Sequence, residues 1–367
     1  MTKRDFIFSL VRSGLWQQQL SHFEMAAWQY KEVMVEAEKQ CVIGLVADCL
    51  QSNNMKLPRK CVTHMLRLSN TLMLENKRLN ENVLDLTQLM TENHIGFVVV
   101  KGQSIGASYP KPLLRVPGDI DFYVVQNDFD RAVSVINKHW GLSLNSDKEG
   151  KHLDFNTNGN HFEMHRILMG FPKEETKRDF QALVEKYPFE QVLIDGQQVP
   201  TLMPTLNVFY TFLHLYNHVV KLGVAIRQFC DVAILLHQYK ERIDRGLLSE
   251  WLDTYDFKRA FAAIGHILVD KLGLPVEDFP LEIKDKDKKN GEKILDLVWS
   301  HGNWGMYDRD WGEKGSVKYY WSKIRIRVSS QMLFSHLSPK FSKSIILEDT
   351  PRRVYSAIVS KLRKLKK

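Results

Sequence analysis

Two short stretches decide how this chain is read: Val100-Lys101-Gly102-Gln103-Ser104, and then Gly118-Asp119-Ile120-Asp121-Phe122. In a β-strand successive side chains point to opposite faces, so Asp119 and Asp121 fall on the same one. Two carboxylates held that close repel each other and suit a core badly. They suit a hard cation such as Mg²⁺, which takes one or two carboxylates and completes its shell with substrate phosphate oxygens. The first stretch complements the second. A glycine directly after an apolar strand lets backbone N–H groups approach a phosphate closely, and Ser104 is placed to cap the helical turn that follows.

Working outward, Phe97 to Lys101 reads as a buried strand, Ile120 to Val125 as a second, and Asn127 to Trp140 as a helix with Phe129, Val133 and Ile136 on one side. Two alternating segments then flank Asn158-Gly159, the dipeptide preferred in two-residue hairpins. With that turn, facing residue numbers sum to 317: Asn156 meets His161, Phe155 meets Phe162, Asp154 meets Glu163, Leu153 meets Met164 and His152 meets His165. One face of the hairpin is apolar, and the other gathers Asp154, Glu163, His152, His165, Asn156 and His161. A slip of one residue would scatter both sets. A third carboxylate is needed beside Asp119 and Asp121, and this face of the hairpin supplies one. A further strand pair, Gln191 to Ile194 and Gln198 to Leu202, turns at Asp195-Gly196.

A glycine turn after a strand, an Asp-x-Asp strand and a later strand with one more acid resemble the polymerase-beta-like nucleotidyltransferase superfamily. Lys101-Gly102, Tyr109-Pro110, Arg115, Gly118-Asp119-Ile120-Asp121 and Glu163-Met164-His165 are similar, more narrowly, to a bacterial family of uncharacterised nucleotidyltransferase-like proteins. Its members are often encoded beside capsule, polysaccharide or peptide-modification genes. The resemblance is strong from about Phe97 to Leu168 and continues more weakly to about Tyr239. It implies an α+β fold, a small mixed-sheet nucleotidyltransferase domain flanked by N- and C-terminal helical segments. It also implies transfer of a nucleotide from a nucleoside triphosphate to a small-molecule or glycan-linked acceptor with release of pyrophosphate, using Mg²⁺ or Mn²⁺. Asp119, Asp121 and Glu163 would be the catalytic metal ligands. Lys101, Gly102, Ser104, Arg115 and His165 would bind the nucleotide. Two departures stand out: Gly102-Gln103 replaces the usual Gly-Ser or Gly-Gly, and the fifteen residues from Ser104 to Gly118 make a longer connection than is common.

Other readings of the same residues belong to different classes. A catalytically silent nucleotide-binding module would keep the fold, and a nucleic-acid-modifying transferase would use the same acids. His161, Glu163 and His165 share a strand face and can make a zinc site. His214 and His218 stand one helical turn apart, as metal ligands or as packing residues. Arg227 and Asp231, at i and i+4, can form a helical ion pair or touch substrate. Trp299, Trp304 and Trp311, among Gly302, Gly305 and Gly312, can stack a base or sugar or pack a subdomain.

The 367 residues divide at 1–95 (helical), 96–202 (nucleotidyltransferase fold), 203–280 (helical) and 281–367 (C-terminal region with a basic tail). The first section carries apolar repeats at three and four, including a long stretch from Val62 to Asn93. The third carries helices over Leu206 to Tyr239, Leu247 to Tyr255 and Phe257 to Leu272. The Lys- and Asp-rich run from Lys284 to Lys293 reads as a solvated connection or helix end. Hydrophobic residues at 44% and charged residues at 26% exclude disorder and fibrous repeats. The net charge of +8 sits mostly in Pro351 to Lys367, which holds seven basic residues and no acidic one. Without that segment 44 basic residues face 43 acidic ones, which argues against a nucleic-acid partner. Val354 to Leu365 can form a basic amphipathic helix able to touch anionic lipid or remain solvated. Cys41, Cys49, Cys61 and Cys230 fit neither a disulfide framework nor a CxxC site. With no secretory signature and no transmembrane segment, a cytoplasmic setting is expected.

Overall fold

In the computed structural model, residues 2–21, 23–145, 152–221, 223–301 and 332–349, with 319 and 325, are described. Four helices come first: α1 (Lys3–Trp16), α2 (Ala27–Lys39), α3 (Ile43–Ser52) and α4 (Arg59–Glu92). Thr2 and Asp5 start α1 with a reciprocal capping box, each side chain accepting the other's backbone N–H. Pro58 caps α4 in extended geometry, and the apolar stripe of α4 includes Leu72, Leu79, Val83, Leu86 and Met90.

The helical layer leads into β1 (Phe97–Val100), α5 (Gly102–Gly106), β2 (Ile120–Val124), α6 (Phe129–Trp140), β3 (His152–Thr157) and β4 (Asn160–His165). The strands form one mixed sheet in the order β1-β2-β4-β3, with β1 and β2 antiparallel, β2 and β4 parallel, and β3 and β4 antiparallel. The 317 register holds at every predicted pair from His152 with His165 to Asn156 with His161. The expected α+β architecture, a small mixed sheet flanked by helices, is the one observed.

The pleat sorts the sheet residues between two cores. Phe97, Val99, Ile120, Phe122, Val124, Phe155, Phe162 and Met164 face α4 and α6, where Phe155 stacks on Phe162 with ring centres 5.0 Å apart. Val98, Val100 and Tyr123 face a larger core shared with helices from both ends of the chain. Asp121 lies between Ile120 and Phe122 and so shares this second face with Tyr123.

Helix α7 (Glu174–Lys186) follows, then the two-stranded β5 (Glu190–Ile194) and β6 (Gln197–Thr201), docked on the sheet by the Thr201 hydroxyl donating to the Val99 carbonyl at 3.1 Å. The chain continues through α8 (Pro204–Lys221), α9 (Ile226–Gln238), α10 (Arg245–Thr254), α11 (Lys258–His266), α12 (Asp285–His301) and α13 (Pro339–Ser344). Two local expectations are corrected. The stretch from Leu206 to Tyr239 is two helices, because Gly223 takes a φ of 103° that a helix cannot continue. Of the two readings of Lys284 to Lys293 the helix end is the one observed: it forms the opening turns of α12, where buried Asp287 accepts the Lys284 backbone N–H. Helix α7 is absent from the sequence reading, since only Phe180 and Val184 give its charged sequence a buried stripe.

All four cysteines are free thiols. Among the described residues no helix is long and apolar enough to cross a membrane. Trp304, Trp311 and the basic segment from Val354 to Leu365 lie outside the described residues, whereas Trp299 packs against Phe8 with ring centres 5.7 Å apart.

Candidate active site

Strand pairing brings the acids together. Asp121 is opposite Val100 on one side and Glu163 on the other, Glu163 is also opposite Asp154, and His165 is opposite His152. The parallel pairing of β2 with β4 lets a residue near position 120 share a site with one more than forty positions later.

At the centre, Asp121 Oδ1 receives the Lys101 ammonium at 2.5 Å and His165 Nε2 at 2.7 Å. Glu163 Oε2 stands 3.6 Å from the same His165 nitrogen. One ligand atom from each of Asp121, Glu163 and His165 lies within 4.8 Å of the others, a donor set that fits a divalent cation. Asp154, His161 and Glu163 form a second such group on the more exposed side, so Glu163 belongs to both. The three alternate residues 161, 163 and 165 are thus divided between two groups. His161 Nδ1 pairs with Asn156 Oδ1 at 3.0 Å.

Burial would push the Asp121 carboxyl up, but the Lys101 ammonium and the His165 hydrogen bond outweigh it and hold the group well below the usual carboxylate range. Asp121 is then acceptor-only, so His165 donates through Nε2–H. Burial also lowers the His165 pKa against the pull of Asp121, leaving the ring neutral at pH 7. Glu163 shows the crowding most directly. Burial first, then the negative charges of Asp121 and Asp119, push its carboxyl up to about 8. Asp119 is half-buried at the start of β2, and its charge acts on Lys101 as well as on Glu163.

The glycine turn is built from unusual backbone. Lys101 has φ 56° and ψ −146°, and Gly102 has φ 36°, conformations that L-residues seldom adopt. A Cβ on Gly102 would stand 3.2 Å from the Asp119 carbonyl oxygen, so the turn and the acid strand touch through backbone. Gly102→Ala is expected to destabilise the fold by about 1–2 kcal/mol and to lower transfer at least tenfold. Urea unfolding and a pyrophosphate-release assay measure the two effects.

Three expected roles change. Arg115, expected at the nucleotide, is paired inside the fold: Nε and Nη2 donate to Asp231 Oδ1 and Oδ2 at 2.8 and 2.9 Å, and the pair is buried. The Tyr109 hydroxyl completes this network, donating to Asp231 at 2.7 Å. Two of the five guanidinium N–H groups are thus held by a buried carboxylate, which gives Arg115 a structural role. Asp231 therefore pairs across the fold with Arg115 rather than along its helix with Arg227, whose Nη1 donates to the carbonyls of Val116 and Pro117. Ser104 is buried and donates its hydroxyl to the Lys101 carbonyl at 2.8 Å, bracing the turn rather than capping its N–H groups.

The long connection before Asp119 is held by groups that the sequence motif does not reveal. Asn76 Nδ2 donates to the carbonyls of Leu113 and Arg115 at 2.9 and 2.8 Å. Gln103 donates to Asn80 at 2.5 Å and Asn80 to Asp195 at 3.0 Å, tying α5 to α4 and to the β5-β6 turn. Gln103 therefore has a positioning role where other glycine turns carry Ser or Gly. Buried asparagines at 76 and 80, one turn apart on an otherwise amphipathic helix, were the available signal.

His214 and His218 lie with ring centres 4.4 Å apart and their planes tilted at 54°. Burial above all, then the positive charge of Lys101, hold His214 well below the usual histidine range, while Asp121 acts in the opposite direction.

A mixed four-stranded sheet with an Asp-bearing strand between a glycine turn and a third acid defines a nucleotidyltransferase fold. Sequence comparison carries the assignment further, because residues 28–273 match the model of a family described as uncharacterised nucleotidyltransferase. The chain belongs to that family of nucleotidyltransferases. Among solved structures it is similar to an antigenic nucleotidyltransferase-like protein from Paracoccidioides brasiliensis. The identity is 14%, with coverage of 51% of this chain and 92% of that chain and a TM-score of 0.32. No protein among those with curated function matches it.

Proposed function

We propose that this protein moves a nucleotide from a nucleoside triphosphate to the hydroxyl of a small-molecule or glycan-linked acceptor, releasing pyrophosphate. The observation that carries the reading is the convergence of Asp121, Glu163 and His165 within 4.8 Å beside the Gly102 turn. A carboxyl pushed up to about 8 by its neighbours is a charge excess that a divalent cation relieves.

Asp119, Asp121 and Glu163 would hold Mg²⁺ or Mn²⁺, with His165 fixing Asp121. When bound, the metal supplies charge neutralisation at phosphate oxygens and acidification of the acceptor hydroxyl. The protein's own groups do the rest. The Gly102 turn admits phosphate close to the backbone, and Lys101 brings a positive charge to the same place. The acceptor oxygen attacks the α-phosphorus, its proton passes to the Glu163 carboxylate, and the bond to the β-phosphate oxygen breaks. Positioning and electrostatics carry most of the rate.

Incubation with each labelled triphosphate, Mg²⁺ or Mn²⁺ and a metabolite extract is expected to give pyrophosphate and a labelled acceptor, both lost on adding EDTA. Metal-dependent triphosphate binding with no product from any of the four bases would instead identify a silent binding module. Tight binding of RNA or DNA with a steep salt dependence would favour a nucleic-acid acceptor.

A further inference from the structure

The polar face of the β3-β4 hairpin holds more metal-binding side chains than nucleotide transfer uses. His152 and Asp154 of β3 lie opposite His165 and Glu163 of β4, and His161 is the next residue of β4 on the same face. Because β3 is the outer strand of the sheet, this part of the face opens to solvent, and the side chains of His152 and Asp154 are 44% and 49% exposed. Asp121 and His165, on the inner part, are buried.

Asp154, His161 and Glu163 each bring one ligand atom within 4.8 Å of the others. His152 Nε2 stands 3.4 Å from Asp154 Oδ1, which puts a fourth donor beside the three. Two details set this group apart from a patch of surface acids. Half of its donors are imidazoles, and the tautomer of one of them is fixed. His161 Nδ1 lies 3.0 Å from Asn156 Oδ1, an amide oxygen that can only accept, so Nδ1 carries the proton and Nε2 keeps its lone pair. A metal-ligating histidine is held in this manner, its second nitrogen donating to an oxygen outside the ligand set. Asp154 and Glu163 are also directly opposite each other, a costly arrangement for two carboxylates on a sheet that a cation between them relieves.

We propose that His152, Asp154, His161 and Glu163 form a zinc site at the outer edge of the sheet, with Asn156 as the positioning residue for His161. Two nitrogen and two oxygen donors suit Zn²⁺, which accepts imidazole and carboxylate alike, whereas Mg²⁺ and Ca²⁺ call for oxygen. Glu163 can serve this group and the inner one together, since a carboxylate has two oxygens. The site goes beyond the transfer reading and does not depend on it.

The test is a calorimetric titration with Zn²⁺, in excess Mg²⁺, of the unaltered chain, His161→Ala and Asn156→Ala, with thermal unfolding measured without zinc. The unaltered chain is expected to hold a Zn²⁺ that His161→Ala binds about a hundredfold more weakly or worse, and Asn156→Ala about tenfold more weakly. The three unfolding midpoints are expected to coincide, because both replaced side chains are exposed and lie outside the cores. Equal affinity in the unaltered chain and His161→Ala would place the ion elsewhere and overturn the site, as would the absence of zinc binding. Weaker binding accompanied by a clearly lower midpoint would make the loss one of folding and overturn it too. Full affinity in Asn156→Ala would remove the positioning role. Transfer without zinc binding, or zinc binding without transfer, tells the failure of one reading from the failure of the other.

Discussion

Asp119→Asn is expected to lower nucleotide transfer about a thousandfold or more while the unfolding midpoint stays where it was. The two acids of the Asp-x-Asp strand differ in what they do for the fold. Asp121 is 2% exposed and anchors both Lys101 and His165 through one oxygen. Asp119 is half-buried at the strand's beginning, and what it contributes is negative charge felt by Lys101 and Glu163. Neutralising it relieves repulsion on Glu163 without removing the buried ion pair. Asp121→Asn, by contrast, leaves a buried ammonium without its counter-charge, and breaking a buried pair costs about 3–5 kcal/mol. The pair of variants separates chemistry from folding: both lose transfer, and only Asp121→Asn loses stability. Pyrophosphate release and urea unfolding on the two proteins decide it. An Asp119→Asn protein that unfolds early, or one that still transfers at the original rate, would count against the assignment.

The second large effect lies at the Arg115–Asp231 pair. Arg115→Ala is expected to destabilise the protein by about 3–5 kcal/mol, because it strands a buried carboxylate that accepts from both Arg115 and Tyr109. The double variant Arg115→Met with Asp231→Leu is expected to recover most of that loss, since an apolar pair of similar bulk leaves neither charge exposed to the core. The sign with pH follows from Asp231. Burial alone would raise its pKa, but the Arg115 guanidinium and its hydrogen bonds hold it below the ordinary 3.8. Its contribution is therefore complete above that value and disappears as the pH falls through the depressed one. Chemical unfolding of the three proteins between neutral and strongly acid pH measures both effects. If Arg115→Ala weakened tripolyphosphate binding and left stability alone, Arg115 would be a phosphate ligand after all.

Much of the sheet was legible because its signals are local. Asn158-Gly159 sets a two-residue turn, and that turn fixes which residues of β3 and β4 face each other. The polar set on one face and Phe155, Phe162 and Met164 on the other follow from alternation alone. Asp119 and Asp121 declare themselves by being an unfavourable pair in an apolar strand. The helices were less complete for equally local reasons. Helix α7 has too narrow an apolar stripe to be noticed, and the break between α8 and α9 depends on one glycine in a run that otherwise looks continuous.

What the amino-acid sequence determined by itself was the set of strands and the hairpin register, because turn chemistry and two-residue alternation act over a few neighbours. Tertiary structure alone decided that β4 lies parallel beside β2, which puts Glu163 against Asp121. It also decided that Arg115 is spent on Asp231. Those outcomes join residues from about forty to more than a hundred positions apart, and a charged side chain gives no sign in its own neighbourhood of which distant partner will neutralise it. Only the packed fold, where each buried charge must meet an opposite one, makes that choice.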